Sequence, residues 1–99
     1  MEISIQSVHF SASEQLETFI QKKVSKLEHF FDGIIRAEIS LKVIKPESAN
    51  NKEVHIRLSV PGDDLFADKT SDTFEQAVDE VVQALEKQVQ KFKEKLKGK

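Results

Sequence analysis

The sequence predicts an α+β fold with the element order β-α-β-β-β-α, in which two helices pack on one face of a four-stranded sheet. Apolar residues recur at every second position in three segments and at every third or fourth position in two others. The length of 99 residues provides for one hydrophobic core, and therefore for a single domain covering residues 1–99. A right-handed crossover followed by an antiparallel meander places both helices on the same side of the sheet.

The N-terminal third predicts one strand and one helix. In residues 1–8, isoleucines alternate with polar residues, as in a strand with one buried face. The helix has an apolar stripe made of Leu16, Phe19, Ile20, Val24, Leu27 and Phe31. Its first turn can be capped either by Ser13 or by Ser11, which would form a capping box with Glu14. Gly33 is expected to end the helix in the left-handed conformation.

The middle of the chain predicts three further strands. Two of them have apolar residues at every second position, Ala37, Ile39, Leu41 and Val43 in the first and Val54, Ile56, Leu58 and Val60 in the second. Residues 46–51 and the Pro61-Gly62 pair are expected to form turns. Residues 65–69 have the composition of a fourth, shorter strand.

The C-terminal part predicts a long helix. Asp72, with Glu75 three residues later, is expected to open it. Its apolar stripe consists of Phe74, Val78, Val81, Leu85, Val89, Phe92 and Leu96. Because both helices bury their stripes against the same face of the sheet, the other face is expected to lie in solvent.

The composition limits what the chain can be. Hydrophobic residues make up 38% of it and charged residues 32%, as in a globular domain rather than a disordered chain. There is no cysteine, which rules out disulfides and thiolate metal sites. The N-terminus resembles neither a signal peptide nor a membrane span, so we expect a cytoplasmic location and no membrane partner.

The sequence has no pattern that indicates an enzyme. It contains no glycine-rich phosphate loop, no nucleophile with a recognisable flank and no H-E-x-x-H motif. Its histidines, His9, His29 and His55, are too scattered for a metal-ligand motif, and the Asp63-Asp64 pair in a turn is expected to face water. We therefore expect no catalytic residue, no metal, no cofactor and no small-molecule substrate.

Charge is distributed unevenly along the chain. The formal net charge of −2 argues at first sight against a nucleic-acid partner. However, residues 63–81 hold seven acids and one lysine, whereas residues 82–99 hold six lysines and two glutamates. A second basic segment, residues 19–31, has three lysines and one glutamate. Phosphate binding depends on local positive potential, so this distribution leaves a nucleic-acid partner open.

The lysines of the two helices form rows. One row contains Lys22, Lys26 and His29, and the other contains Lys87, Lys91 and Lys95, all at spacings that share one helical face. Two such rows on neighbouring helices could form a phosphate-binding track. The spacing alone is better explained by ordinary solvated helix surfaces, because lysines near a helix C-terminus also complement the helix dipole.

Phe66 is expected to point to the open face of the sheet if Leu65 and Ala67 point inward. RNA-binding modules of the RRM type stack bases on several aromatic residues of such a face. Here the neighbouring outward positions are polar or charged, namely Ser40, Lys42, His55 and Arg57. Phe66 is therefore expected to be covered by a loop or to contact a protein rather than to stack on a base.

Two segments resemble a known protein family. Residues 19–34, F-I-Q-K-K-V-S-K-L-E-H-F-F-D-G-I, resemble the first-helix segment of ribosome hibernation-promoting factors. The segments 72–74, 77–79 and 85–96 are similar to the family's pattern D-M-Y, A-I-D and L-x-R-Q-L-x-K-x-K-x-K-L. The resemblance covers essentially the whole chain, at the length of the short factors that lack a C-terminal dimerisation domain.

The resemblance implies a β-α-β-β-β-α domain similar to double-stranded RNA-binding domains. It implies a factor that binds the small ribosomal subunit and its rRNA in the decoding channel, competes with mRNA and tRNA, and silences and protects idle ribosomes. The family's basic positions that face rRNA are occupied here by Lys22, Lys23, Lys26, Lys87, Lys91 and Lys95.

Two alternatives and one further expectation accompany this interpretation. The alternatives are a stand-alone double-stranded RNA-binding module and a protein–protein adaptor that uses the open sheet face and Phe66. The acidic segment, residues 63–80, is expected to face away from RNA because its carboxylates would repel phosphates.

Overall fold

A computed structural model describes residues 1–45 and 47–97 and has the expected order of elements. The strands are β1 (Glu2–Val8), β2 (Arg36–Val43), β3 (Lys52–Val60) and β4 (Asp63–Ser71). The helices are α1 (Glu14–Ser25), which continues into a 3₁₀ turn (Lys26–His29), and α2 (Phe74–Lys97). The predicted α+β fold is confirmed.

The four strands form one mixed sheet in the order β1-β2-β3-β4. β1 runs parallel to β2, as the crossover through α1 requires, and the remaining neighbours are antiparallel. The register aligns Ile5, Ile39, Ile56 and Ala67 in one row across the sheet. This row lies on the face that the two helices cover, so the two-residue period of the sequence identifies the buried face correctly.

The core lies between this sheet face and the helices. Buried residues of both helices and of β2, β3 and β4 form one cluster. Ile20, Leu41, Ile56 and Leu85 are among its fully buried side chains. Each such side chain contributes about 1.5–3 kcal/mol relative to an exposed position, so burial of the two apolar stripes fixes which sides of the helices face solvent.

Both helices begin at hydroxyl residues. The Ser13 hydroxyl accepts a hydrogen bond from the Leu16 N–H at 3.1 Å, which decides the start of α1 in favour of Ser13. At α2 the Thr73 hydroxyl accepts from the Gln76 N–H at 3.1 Å. The prediction that Asp72 opens α2 is therefore wrong by one residue. The Asp72 carboxylate instead accepts from the backbone N–H of residue 50 at 2.8 Å, which joins the β2–β3 loop to the end of β4.

The expected role of Gly33 is also wrong. The α-helical part of the first helix ends at Ser25, and Gly33 is not left-handed; among the described residues, the glycine with a positive φ, 79°, is Gly62. Glycine is needed at position 33 for a different reason. A Cβ there would lie 2.6 Å from Cζ of Phe31, so the aromatic ring packs directly against the backbone of Gly33.

The β3–β4 hairpin is longer than the sequence indicates. Its register runs without interruption from Val60 opposite Asp63 to Lys52 opposite Ser71, so β4 covers nine residues rather than residues 65–69. The turn at Pro61-Gly62 is confirmed. In the other predicted turn, residues 46–51, Pro46 itself lies outside the described residues.

Within the described ranges, neither helix is both long and apolar enough to cross a bilayer. In residues 1–45 and 47–97, no three His, Asp or Glu side chains lie close enough together to share a metal ion.

Candidate nucleic-acid interface

The two helices pack side by side and run in the same direction. Near the N-terminal end of α2, the ring of Phe10 stacks on Phe74 with 5.0 Å between ring centroids. Near its C-terminal end, Phe31 packs edge-on against Phe92 at 5.4 Å. Since Phe10 precedes α1 and Phe31 follows it, these contacts bring the C-terminal ends of both helices to the same end of the domain. The C-terminal ends of the two basic segments predicted from the sequence therefore lie at the same end of the molecule.

Five of the six candidate lysines are exposed and have no ion-pair partner among the described residues. They are Lys22, Lys26, Lys87, Lys91 and Lys95. Unpaired ammonium groups on a helix surface can neutralise phosphates without first breaking an internal contact.

Lys23 has a different environment. Its Nζ lies 3.1 Å from Oδ1 of Asp79 on α2 and 5.5 Å from the centroid of the Phe19 ring, and its side chain is 30% exposed. The side chain therefore connects the two helices, and its charge is balanced by a neighbouring carboxylate.

The Lys87, Lys91 and Lys95 row lies on the flank of α2 that faces β4. Lys91 and Lys95 line a groove of about 240 Å³ together with Asp63 and Leu65 from the start of β4. One turn earlier, Lys87 borders a neighbouring cleft with Lys69, which also belongs to β4. The row therefore follows the edge strand of the sheet.

Gln88 holds this flank of α2 to the edge strand. Its Nε2 donates to the carbonyl oxygen of Phe66 at 2.8 Å, and its Oε1 accepts from the Phe66 N–H at 3.3 Å. An edge strand presents backbone groups that a further strand could pair with. Here one side-chain amide occupies both groups of Phe66, so the helix and the strand edge are joined directly.

α1 contacts the other flank of α2. Asp79, which binds Lys23, lies about 120° around the helix from Lys91 at 3.6 residues per turn. The cleft on that flank is lined by His29 and Phe30 together with Lys93 and Lys97. The two predicted lysine rows therefore do not border one common groove, because the outer face of α2 separates them. A partner that contacts both rows must extend across the helix layer.

Lys93 and Lys97 were not among the candidate RNA-binding residues, because they lie on a different side of the helix from the Lys87 row. Helical spacing separates them from the Lys87 row, but spacing alone does not show that they face the turn that follows α1. The packing of α1 along this flank, seen in the contact between Lys23 and Asp79, shows this orientation.

The open face of the sheet has a different chemistry from the helix layer. It carries five carboxylates (Glu2, Glu38, Glu53, Asp64 and Asp68) and three cations (Arg36, Lys42 and Arg57). Several of these groups are paired, for example Arg57 with Glu38 at 3.0 Å. An excess of carboxylates does not favour RNA phosphates, so the helix layer is the better candidate for a nucleic-acid interface.

Phe66 lies on this open face, as the alternation of β4 predicts. It is 49% exposed and contacts the ring of His55 edge-on at 5.8 Å between centroids. The expectation that a loop covers it is wrong, because the neighbouring ring of His55 belongs to β3 and leaves half of Phe66 in solvent. A shallow depression of about 460 Å³ lies beside both rings.

Residues 3–97 match the model of the family described as Sigma 54 modulation protein / S30EA ribosomal protein. The chain belongs to this family. Among its relatives is a protein of Escherichia coli (strain K12) named ribosome hibernation promoting factor, 30% identical over 102 residues that cover 98% of each chain. A protein of the same name from Pseudomonas putida is 26% identical over 95 residues, covering 96% of this chain and 89% of that protein. The family resemblance seen in the two helical segments is thus confirmed.

Solved structures share the S30EA-family fold seen here. A ribosomal subunit interface protein from Coxiella burnetii superposes with a TM-score of 0.85 at 26% identity, covering 94% of this chain and 98% of that one. The N-terminal domain of protein Y from Thermus thermophilus superposes with a TM-score of 0.82 at 22% identity, over 93% and 99% of the two chains. At 22% identity, the similarity to the protein Y domain shows that the two chains share a fold.

Proposed function

We propose that this S30EA-family chain is a ribosome-binding translation inhibitor that occupies the decoding channel of the small subunit and so silences and protects idle ribosomes. The observation that carries the proposal is a set of five exposed helix lysines without an ion-pair partner among the described residues, in a chain whose relatives are named ribosome hibernation promoting factors. We infer a cytoplasmic location from the proposed ribosome binding.

The lysines supply affinity by neutralising rRNA phosphates and releasing counterions. Each phosphate contact makes the logarithm of the binding constant fall with the logarithm of salt concentration by about 0.7–0.9. Contacts from all five unpaired lysines would together give a slope of about −3.5 to −4.5. Binding is therefore expected to weaken strongly as salt is raised.

The mechanism is steric exclusion. The domain is elongated, with extents of 50 × 22 × 18 Å, and the helix layer is supported by a continuous core beneath it. A rigid body held by its helices in the channel fills space that mRNA and tRNA need, so no covalent step is required.

Competition on purified small subunits tests this mechanism. The protein is sedimented with small subunits while mRNA and initiator tRNA are added in increasing amounts, and bound protein is measured in the pellet. We expect the protein and the mRNA–tRNA pair to exclude one another. Full simultaneous occupancy would contradict occlusion of the decoding channel.

A parallel assay with generic duplex RNA separates the alternative functions. A hibernation factor binds small subunits much more tightly than duplex RNA of arbitrary sequence. Equal or tighter binding to the duplex would favour a stand-alone double-stranded RNA-binding module. Binding to neither would favour a protein adaptor that uses the open sheet face.

A further inference from the structure

Asp63 lies at the rim of the lysine-lined groove between β4 and α2. It borders the groove together with Lys91 and Lys95. The acidic segment is expected to face away from RNA, but this one of its residues lies beside two candidate RNA-binding lysines, because the β3–β4 turn lies at the same end of the domain as the C-terminal part of α2. A carboxylate next to bound phosphates repels them. A groove that bound only phosphates would therefore bind them more tightly without Asp63.

The Asp63 carboxylate is held in position by one hydrogen bond and can still accept another. Its Oδ1 accepts a hydrogen bond from the Asp64 N–H at 2.8 Å. Among the described residues, neither Lys91 nor Lys95 forms an ion pair with it. Its position is set by β-pairing opposite Val60. The second carboxylate oxygen is thus a pre-positioned hydrogen-bond acceptor at the rim of the groove.

The floor of the groove is apolar. It consists of Leu65 and Phe92, which are 9% and 8% exposed. Gln88, which also lines the groove, is already bonded to the backbone of Phe66. The volume of about 240 Å³ is below the range of about 300–1,000 Å³ that is usual for pockets of drug-sized ligands. A small open groove with an apolar floor can accept a planar base.

We propose that this groove binds one unpaired RNA nucleotide. The base rests against Leu65 and Phe92, an amino group of the base donates a hydrogen bond to Asp63, and the adjacent phosphates contact Lys91 and Lys95. Carboxylates accept hydrogen bonds from the amino groups of bases, and proteins read RNA sequence mainly where bases are unpaired. The inference rests on the proposed ribosome binding and adds an element of base recognition, with preference for bases that carry an amino group.

The substitutions Asp63→Asn and Asp64→Asn test the proposal because the two possible roles predict opposite signs. Each substitution removes one negative charge from the same turn, and in Asp63→Asn the new amide oxygen can still accept from the N–H of residue 64. The Asp64 side chain points to the open sheet face, which makes it the matched control. Affinity for purified small subunits is measured at several salt concentrations, with circular dichroism as a check of folding.

We expect Asp63→Asn to weaken binding by about tenfold, because a hydrogen bond to a charged acceptor is lost. The salt slope should stay unchanged, since no phosphate contact is removed. Asp64→Asn should leave affinity unchanged or raise it slightly. Asp63→Glu, which keeps a carboxylate, should bind more tightly than Asp63→Asn.

An Asp63→Asn variant that binds as tightly as the wild type, or more tightly, would overturn the proposal, because Asp63 would then contribute no hydrogen bond to the RNA. A wild-type protein that fails to bind small subunits would instead overturn the proposed function. The two failures are therefore distinguishable.

Discussion

The six candidate lysines differ in how much of their charge is available to a partner. Lys26 is exposed and unpaired among the described residues, whereas the ammonium group of Lys23 lies 3.1 Å from the carboxylate of Asp79. The two lysines belong to the same basic segment and are three residues apart in sequence. Their difference comes from the neighbouring helix, and it should be measurable in RNA binding.

We expect Lys26→Gln to weaken binding to small subunits by about twofold to fivefold and to reduce the salt slope by about 0.7–0.9, the loss of one phosphate contact. Lys23→Gln should do less, because the charge that it removes is already balanced. The measurement is affinity against salt concentration for both variants. Their effect on the free energy of unfolding should stay within about 1 kcal/mol, as is usual for partly exposed ion pairs.

Asp79→Asn provides the control for this pair. Without the carboxylate, the Lys23 charge becomes available, so Lys23→Gln in the Asp79→Asn background should cost as much as Lys26→Gln does in the wild type. Equal losses from the two single lysine variants in the wild type would show that the ion pair with Asp79 opens on binding.

At the scale of the elements, α2 carries two separate basic flanks. One flank, with Lys87 and Lys91, follows the edge strand β4, and the other, with Lys93 and Lys97, faces the turn after α1. The flanks are about 120° apart around the helix axis. A surface that docks on RNA through the edge-strand flank therefore uses only some of the lysines of this helix.

The double substitution Lys87→Gln with Lys91→Gln tests which flank binds. It should weaken binding to small subunits and reduce the salt slope by about 1.4–1.8, as expected for two lost phosphate contacts. Lys93→Gln with Lys97→Gln changes the formal charge by the same amount, from −2 to −4, and should have a much smaller effect.

The free energy of unfolding of both double variants should lie within about 0.5 kcal/mol of the wild-type value, because exposed charges away from special features have small effects on stability. Urea unfolding checks this. Equal losses of affinity from the two pairs would mean that total charge, or both flanks, determines binding.

At the scale of the whole molecule, the charges of the helices are separated along the long axis. Acids occupy the N-terminal turns of both helices, for example Glu14 and Glu75, and lysines occupy the C-terminal parts. This arrangement complements both helix dipoles. It also concentrates the lysines of α2 towards one end of a chain with a formal net charge of −2.

Neutralising an acid in the N-terminal turn of α2 should therefore have little effect on binding to small subunits. Glu75 lies sixteen residues before Lys91, or about 24 Å along the helix, and charges are screened over about 8 Å at physiological salt. We expect Glu75→Gln to change affinity for small subunits by less than about twofold at 0.15 M salt. An effect equal in size to that of Lys91→Gln would show that net charge, rather than its position, controls binding.

The sequence by itself determined the order of the elements, the family and most of each buried face. The prediction that Leu96 belongs to the buried stripe of α2 is wrong, because this side chain near the end of the helix is 53% exposed. These features depend on local periodicity, since residues two apart share a strand face and residues three or four apart share a helix face. For this reason Phe66 was correctly placed on the open face, and the exposed lysines were correctly placed outside the core. Their contact with RNA stays a prediction.

Only the tertiary structure decided which charged residues meet. The parallel packing of α1 and α2 brings the C-terminal ends of the basic segments together, pairs Lys23 with Asp79 and turns Lys93 towards the end of α1. The β3–β4 register places Asp63 beside the lysines of α2. The ring of Phe31 packs so close to the backbone at position 33 that a Cβ on Gly33 would meet it. Contacts of this kind depend on the angles at which helices pack and on the pairing of distant strands, which local periodicity does not encode.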